Sequence, residues 1–372
     1  MSKVNVGVVG ASWFADLWYL PVLQMHPDVA IAAICSKTGE SAQNMAKKYE
    51  VERVYADYRQ MLEDENLNGI CIITPNDSHK EIALAAIAKG LHVLCEKPMA
   101  MDAIEAYEMN EAAKTKGIVN AINFTYREHP AIQKLREVVA KGLIGDVYQS
   151  YFEYSGDYGL NGPPGWRGTI SKGGIGGVLQ DLGSHLIDMA QFILQDKINK
   201  VNGTLFFMEN GRLVDTAMKK SIDQAADSVS FSARFAKGVQ ASFHTSWVTP
   251  QGNKHQTIDI KLHGRDGSLH LFTSELGTSL RHAKIGGKWN EMELEEVTAF
   301  DWNNKPSEQA FRPWRLTNKN EVWKWIDQIN GNNPAHLPTF QDGLNVQRVI
   351  DEVIGKGVGI MNQSLSSETF QK

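Results

Sequence analysis

The sequence predicts an α/β fold in which a doubly wound parallel sheet is followed by an α+β part with a largely antiparallel sheet. Short apolar runs alternate with helical patterns up to residue 123, which is typical of repeated strand–helix–strand units. Beyond residue 146, apolar and polar side chains alternate along segments separated by turn residues, which indicates strands with one buried face. At 372 residues the chain suits two domains, which we place at 1–123 and 124–372.

The first part contains five predicted strands with four predicted helices between them. The strands are expected at 4–9, 29–35, 69–74, 91–95 and 118–122. The helices are expected at about 14–25, 40–49, 77–89 and 102–116. Strands that read as nearly continuous apolar runs are typical of a parallel sheet covered by helices on both sides.

The second part combines strands and helices in a different order. It begins with a predicted strand at 146–155, a loop rich in glycine and proline at 162–177 and a helix at about 179–194. A hairpin around Ala236-Lys237-Gly238 and a strand pair within 256–272 follow. Helices are expected at about 318–329 and 340–355, whereas residues 273–310 are polar and remain unassigned. Four late tryptophans are expected to pack in a core or an interface: Trp302, Trp314, Trp323 and Trp325.

The composition excludes several classes of function. A formal net charge of −5 and a pI near 6.1 argue against a nucleic-acid-binding protein, which usually carries a basic stripe. The sequence has neither a signal-peptide pattern nor an apolar window long enough for a membrane span, so we expect a cytoplasmic protein without membrane contacts. No metal site is expected, because no His, Cys and carboxylate set has ligand spacing. Three cysteines in apolar runs indicate buried, reduced thiols: Cys35, Cys71 and Cys95.

A glycine-rich turn follows the first predicted strand and opens a helix, which is the context of a dinucleotide-binding fingerprint. In Gly7–Ala15, Gly10 permits the tight turn, and the free N–H groups of the following helix suit a pyrophosphate. Ser12 stands where the second glycine is usual, and its hydroxyl could donate to a phosphate instead. With Trp13 and Phe14 in the same turn, these residues are cofactor-binding candidates. The alternative is a glycine turn that binds nothing.

The end of the second predicted strand bears on which nicotinamide cofactor would bind. An NAD site usually carries Asp or Glu there to bind the ribose 2′-hydroxyl, and this chain has Ser36-Lys37. A carboxylate would repel a 2′-phosphate, whereas Lys37 could pair with one. We therefore predict NADP, with NAD as the alternative. The alternative, that Lys37 is an exposed loop lysine with no role in cofactor binding, remains open.

Two further groups of residues have the chemistry of an active site. Glu96-Lys97-Pro98 ends a buried strand, and ligands of a doubly wound sheet bind beyond the carboxyl ends of its strands. Asp181 and His185 are four residues apart on a predicted helix and so share one face. His185 suits a general base because an ordinary histidine pKa lies near neutrality. An i,i+4 surface pair is the plainer interpretation of Asp181 and His185.

Together these motifs resemble, from end to end, the glucose–fructose oxidoreductase / inositol dehydrogenase family of NAD(P)-dependent dehydrogenases. The resemblance rests on motifs in a fixed order: the turn at 7–15, Thr74-Pro75-Asn76 with His79, Glu96-Lys97-Pro98, Arg127 with Pro130, Trp166-Arg167, and 176–185 followed by Asp188. It implies an N-terminal Rossmann domain and a C-terminal α+β domain with an open sheet. It also implies a last helix, 340–355, packed beside the Rossmann domain. Ser12, Thr125 and Glu128 depart from the family pattern.

The resemblance also implies the roles of individual residues. Lys97, Asp181 and His185 match the catalytic lysine, acid and histidine, and Arg127 matches a substrate contact. Cofactor-lining positions are matched by Thr74, Pro75, Asn76, His79, Glu96, Trp166 and Arg167. The implied activity is hydride transfer between nicotinamide and a sugar, polyol or related compound, in a homodimer or homotetramer. Two alternatives on the same scaffold stay open at this point, a non-catalytic NAD(P)-sensing regulator and an NAD-dependent glycosidase.

Overall fold

The computed structural model describes residues 3–215, 223–297 and 313–355 and divides the chain into two compact units. The first unit comprises residues 1–129 and 296–344, and the second comprises residues 130–295 and 345–372. A domain boundary at residue 123 and the packing of the last helix beside the first domain stay predictions.

The first unit is built on a six-stranded sheet with the order β3-β2-β1-β4-β5-β6, in which every pair is parallel. The strands are β1 Val4–Val9, β2 Val29–Cys35, β3 Arg53–Tyr55, β4 Gly69–Ile72, β5 His92–Cys95 and β6 Asn120–Ile122. The predicted doubly wound parallel sheet is therefore confirmed. Strand β3 escaped prediction because three residues are too few to show a periodic pattern.

Five helices connect these strands: α1 Leu20–Met25, α2 Gly39–Lys48, α3 Tyr58–Asp64, α4 His79–Ala88 and α5 Ala103–Lys116. Helix α5 shows why the sequence folds this way. The carboxylate of Asp102 accepts from the N–H groups of Ile104 and Glu105 at 3.1 and 3.0 Å, and Gly117 ends the helix at φ +64°. A π-helical turn at Ala15–Tyr19 precedes α1, so the predicted helix 14–25 is not a single regular helix.

Aromatic side chains fill the core of the first unit. Trp18 is fully buried and packs edge-on against Trp314, with ring centroids 5.7 Å apart. Trp325 is also fully buried and lies so close to Gly69 that a Cβ there would come within 2.8 Å of its ring. Trp314 and Trp325 thus confirm the predicted core packing, whereas Trp302 lies outside the described residues.

The three cysteines lie in this sheet as well. Cys35 ends β2, Cys71 lies in β4 and Cys95 ends β5, and all three are buried and free. Burial raises the pKa of each thiol, that of Cys35 to about 11. The predicted burial of the three thiols is confirmed.

The second unit begins with helix α6, Pro130–Ala140, and also contains α7 Ile170–Gly173 and α8 Ser184–Leu194. Its described residues form nine strands: β7 Val147–Gly156, β8 Ile198–Glu209, β9 Arg212–Asp215, β10 Ser228–Phe235, β11 Gln240–Ser246, β12 Gln256–Gly264, β13 Gly267–Ser274, β14 Gly277–Lys284 and β15 Asn290–Glu291. The sheet order is β15-β14-β13-β12-β7-β11-β10-β8-β9, and β7 with β11 is the parallel pair. The largely antiparallel second sheet is confirmed.

The two faces of this sheet differ in polarity. One face is apolar, where the ring of Phe243 stacks between those of Phe152 and Phe231 at centroid distances of 5.0 and 4.4 Å. The other face carries polar side chains such as those of Ser230 and His244, which hydrogen-bond at 2.9 Å. Strands β14 and β15 fall in the segment that the sequence left unassigned, and residues 298–310 of that segment lie outside the described residues.

Two helices complete the described chain: α9 Glu321–Ile329 and α10 Phe340–Val353. None of the helices within the described residues combines the length and apolarity needed to cross a membrane.

Within the first unit, two buried charged side chains pair with charges on distant segments of the chain. Arg127 pairs with Asp342 at 3.2 Å, and Lys324 pairs with Glu128 at 2.5 Å. Burying a charge is costly unless it is paired, so these ion pairs offset part of the cost of burying Arg127 and Glu128.

Glu321, the first residue of α9, is a described residue whose buried acidic side chain lacks such a partner. Its carboxyl group is fully buried, and neither of its oxygens has a hydrogen-bond partner in the described part of the chain. Burial and the neighbouring Glu128 raise the pKa of Glu321 to about 8. The folded chain therefore holds a proton here that the unfolded chain, with an ordinary glutamate pKa of about 4.3, releases.

Glu321→Gln is expected to stabilise the protein more at pH 8 than at pH 5. At pH values between the pKa of the unfolded chain and that of the folded chain, the free energy of unfolding falls as pH rises, by at most about 1.4 kcal/mol per pH unit, because only the folded chain keeps the proton on Glu321. A neutral glutamine amide removes that dependence. Thermal unfolding of both proteins across this pH range measures it, with the exposed Glu40→Gln as control. The same pH dependence in Glu321→Gln and the wild type would contradict the raised pKa.

Candidate active site

The glycine turn of the first unit lies between the ends of two strands. Gly10 follows β1 with φ +110°, and its N–H donates to the carbonyl of Cys35 at 2.8 Å. A Cβ at this position would collide with the carbonyl oxygen of Ile73, beyond the end of β4. Only glycine fits both the conformation and the space. The turn therefore occupies the point where the strand order changes direction, between β1 and its two neighbours.

Ser12 closes the turn against the helical segment that follows. Its Oγ accepts from the N–H of Ala15 at 3.3 Å, and its carbonyl accepts from the N–H of Asp16 at 3.2 Å. Accepting a hydrogen bond leaves the hydroxyl hydrogen available for donation, so this contact is compatible with the predicted phosphate contact. Trp13 is 66% exposed beside the turn, and its ring meets that of Phe14 at 5.5 Å.

The residues after β2 form a cluster of hydroxyl groups at the start of α2. Thr38 Oγ1 lies 2.7 Å from Ser41 Oγ and 3.1 Å from Ser36 Oγ. Lys37 is exposed beside them and forms no ion pair with any described residue. Hydroxyl groups, a cation and a helix N-terminus are each favourable to a bound anion.

His79 connects the turns that follow β4 and β5. Its Nε2 lies 2.9 Å from the carbonyl oxygen of Thr74, and its Nδ1 lies 3.0 Å from that of Pro98. Burial lowers the pKa of His79, although the carbonyl contacts act in the opposite direction. Pro75 and the buried Asn76 lie between these contacts, in the turn at the start of α4. His79 thus ties the predicted cofactor-lining turn to the Glu96-Lys97-Pro98 turn.

Lys97 lies directly beyond β5, at the carboxyl edge of the sheet, in a turn with a cis Lys97-Pro98 peptide. The Glu96 side chain is buried, and its Oε2 accepts from the Lys97 N–H at 3.3 Å. The other oxygen, Oε1, accepts from the Tyr19 hydroxyl at 2.7 Å and the Asn123 amide at 2.6 Å. Sequence reasoning missed Tyr19 and Asn123, because partners 77 and 27 residues away leave no local pattern.

Arg127 lies in the first unit, where only a small part of its side chain is exposed. Its guanidinium pairs with Asp342, and that charge holds the pKa of Asp342 below its usual value despite burial. The structure therefore gives Arg127 a partner within the protein, and its predicted contact with substrate stays a prediction.

The second unit places Asp181 in a π-helical turn, Leu179–Gly183, that runs into α8. The sequence predicts a regular helix here, but a π-helical turn closes i→i+5 hydrogen bonds, and such turns are frequent at functional sites. His185 lies in the first turn of α8 and is 7% exposed, and Asp188 follows one turn later, also buried. Asp181 and His185 thus lie on one continuous helical segment.

Both carboxylate oxygens of Asp181 accept hydrogen bonds within the second unit. The Tyr158 hydroxyl donates to Oδ2 at 2.9 Å, and Arg167 Nε donates to Oδ1 at 3.3 Å. The Arg167 guanidinium also lies 4.5 Å above the ring of Trp166. The structure therefore brings Trp166 and Arg167 together with Asp181. Tyr158 is a further residue that sequence reasoning missed, since 23 residues separate it from Asp181.

The glycine-rich loop before this turn is held closely by its neighbours. Gly174 and Gly177 have φ values of +85° and +46°, and a Cβ on either would collide with neighbouring atoms. The buried Gln180 amide, with its nitrogen facing the loop, donates to the carbonyl of Gly173 at 2.5 Å. The backbone before Asp181 is thereby fixed.

Among residues 3–215, 223–297 and 313–355, no group of three or more His, Cys, Asp or Glu side chains could hold a metal ion.

Two family descriptions match most of the chain. Residues 4–124 match the oxidoreductase family with an NAD-binding Rossmann fold, and residues 132–270 match the GFO/IDH/MocA C-terminal domain. The chain belongs to the GFO/IDH/MocA oxidoreductase family. The resemblance stated from the sequence motifs is confirmed.

Members of this family with known activities are similar to the chain over most of its length. A levoglucosan dehydrogenase of Pseudarthrobacter phenanthrenivorans is 28% identical over 295 residues, which cover 72% of this chain and 73% of the relative. A 1,5-anhydro-D-fructose reductase of Ensifer adhaerens is 28% identical over 266 residues, 71% of this chain and 74% of the relative. A solved levoglucosan dehydrogenase in complex with NADH and levoglucosan superposes with a TM-score of 0.78 at 25% identity, covering 96% of this chain and 97% of that one.

Proposed function

We propose that this protein is an NAD(P)-dependent oxidoreductase that transfers a hydride between nicotinamide and a hydroxyl-bearing carbon of a sugar or polyol. The observation that carries the proposal lies in the first unit: the glycine turn after β1 and Lys97 after β5 share the carboxyl edge of one parallel sheet. Ligands of doubly wound sheets bind at this edge. The relatives that act on levoglucosan and 1,5-anhydro-D-fructose support a sugar as the substrate.

The residues present fit a dinucleotide. Gly10 lets the chain pass close to β4, and Ser12 keeps a hydroxyl hydrogen for donation at the start of the following helix. When bound, the nicotinamide supplies the acceptor or donor of the hydride.

Each candidate catalytic residue has a role that its chemistry supports. Lys97 would stabilise the charge that develops on the substrate oxygen, as a preorganised cation does. His185 would take the hydroxyl proton during oxidation, because a histidine can hold or release a proton near neutral pH. Asp181 already accepts from Tyr158 and Arg167 through both oxygens, which supports a role in orienting groups rather than in removing the proton.

NADP is the proposed cofactor, with NAD as the alternative. No carboxylate follows β2 at Ser36-Lys37, and the hydroxyl groups of Ser36, Thr38 and Ser41 cluster at the N-terminus of α2. Such a cluster beside a lysine suits a 2′-phosphate better than a pair of ribose hydroxyls.

We also infer a cytoplasmic homodimer or homotetramer. Three buried, free thiols support a reducing compartment. The polar face of the second sheet, which includes Glu153, His244 and Asp259 around a cavity of about 580 Å³, is the surface proposed for self-association.

Lys97→Met is expected to lower kcat by about 10²-fold or more while leaving the Kd of the cofactor within several-fold, since a preorganised charge acts on the transition state. The measurement is nicotinamide absorbance with a panel of sugars and polyols and both cofactors, first for the wild type. Lys89→Met, on a surface lysine paired with Glu63, is the control. Wild-type turnover in Lys97→Met would contradict the role of the lysine.

Lys37→Ala is expected to weaken NADP binding by roughly 1–2 kcal/mol and to leave NAD binding nearly unchanged, because only the 2′-phosphate offers a charge to this lysine. Titration calorimetry with both cofactors measures the difference. Lys47→Ala, exposed near the end of α2, is the control. Equal losses for the two cofactors, or tighter binding of NAD by the wild type, would refute the assignment.

A further inference from the structure

The Glu96 carboxylate joins three separate segments at the carboxyl edge of the first sheet. Tyr19 ends the π-helical turn that begins directly after the glycine turn, and its hydroxyl donates to Glu96 Oε1 at 2.7 Å. Asn123 follows β6 and donates to the same oxygen at 2.6 Å. Lys97 donates its N–H to the other oxygen at 3.3 Å. One carboxylate thus links the glycine turn, the end of β6 and the backbone of the lysine.

This link is rigid because its members are enclosed. Tyr19 and Asn123 are fully buried, and Glu96 is 8% exposed. The backbone N–H of Glu96 donates to the carbonyl of Ile72 at 2.9 Å, and that of Asn123 donates to the carbonyl of Cys95 at 2.9 Å. A buried carboxylate that loses a hydrogen-bond donor is destabilised, because the cost of removing it from water is no longer offset. The Glu96 side chain and the adjoining turn are therefore held most firmly when Tyr19 and Asn123 both donate to it.

The charge of Glu96 depends on the same contacts. Burial raises the pKa of Glu96, whereas the charge of Lys97 and the hydrogen bonds from Asn123 and Tyr19 act to lower it. Besides Tyr19 and Lys97, the titratable side chains near this network are the buried thiols of Cys71 and Cys95. Removing the Tyr19 hydroxyl therefore takes away a contact that stabilises the ionised carboxylate next to Lys97.

We propose that Tyr19 is a positioning residue that acts through Glu96 to hold the Glu96-Lys97-Pro98 turn in place relative to the glycine turn. The inference rests on the proposed catalytic role of Lys97. A charged group stabilises a developing alkoxide only where it is held in advance, and a small displacement of such a group costs a large factor in rate. Tyr19 would thus affect the chemical step without touching the cofactor or the substrate.

Tyr19→Phe tests this role, and the chain offers a matched control. Tyr49 is likewise buried in the first unit, and its hydroxyl donates to a carboxylate oxygen of Asp16 at 2.7 Å, the same distance as in the Tyr19–Glu96 pair. Tyr19→Phe is expected to lower kcat about tenfold, the effect of one hydrogen bond to a charged group. The Kd of the cofactor is expected to stay within about twofold, and Tyr49→Phe is expected to keep wild-type kcat.

A double-mutant cycle with Glu96→Ala establishes whether Tyr19 acts through Glu96, because alanine removes the oxygen that accepts from Tyr19, whereas glutamine would keep an acceptor there. If it does, Tyr19→Phe changes kcat by less than about twofold in the Glu96→Ala background, because coupled residues are not additive. Asn123→Ser removes the other donor to the same oxygen and is expected to lower kcat in the same way. This variant tests the link independently if Tyr19→Phe proves less stable than Tyr49→Phe in thermal unfolding.

The outcomes separate this inference from the proposed function. Equal kcat in Tyr19→Phe and Tyr49→Phe, or full additivity with Glu96→Ala, overturns the positioning role when Lys97→Met is inactive. Wild-type turnover in Lys97→Met overturns the role of the lysine itself, and the positioning role with it.

Discussion

Six parallel strands place all of their carboxyl ends at one edge of the first sheet, and the candidate site of this unit depends on that constraint. The glycine turn, the hydroxyl cluster at Ser36, the turn at Thr74 and the lysine turn at Lys97 each follow a different strand. These four turns are far apart in the sequence, and the parallel sheet alone brings them to the same edge. Gly10 is the position where this arrangement is tightest, since any side chain there would collide with the backbone beyond β4.

Charged groups at both candidate sites are fixed by partners that are themselves anchored. Glu96 accepts from Tyr19 and Asn123, and Asp181 accepts from Tyr158 and Arg167. Tyr158 in turn packs near Trp247, whose indole N–H donates to the buried Asp227 at 2.6 Å. Glu96 in the first unit and Asp181 in the second thus each accept hydrogen bonds from side chains that hold the carboxylate in place. A carboxylate held in this way suits the orientation of a reacting group more than the removal of a proton.

The fold was largely predictable because buried parallel strands and alternating antiparallel strands leave strong periodic patterns. The strands that the sequence patterns did not predict were short or polar, such as Arg53–Tyr55 and Gly277–Lys284. The places of Lys97 and Asp181 in the fold were predictable, because each belongs to a motif at the end of a strand or on a helical segment, while their catalytic roles stay predictions. Their supporting partners were not predictable, because Tyr19 and Tyr158 reach their carboxylates through tertiary packing rather than through spacing along the chain.

Tracing the transferred hydrogen tests whether a hydride passes between the sugar and the nicotinamide. The best substrate of the sugar and polyol panel, deuterated at the reacting carbon, is incubated with oxidised cofactor, and the reduced cofactor is analysed by mass spectrometry and NMR. One deuterium is expected at C4 of the nicotinamide, on a single face of the ring. A reduced cofactor without deuterium, or conversion of the sugar with no net reduction of the cofactor, would contradict the proposed hydride transfer.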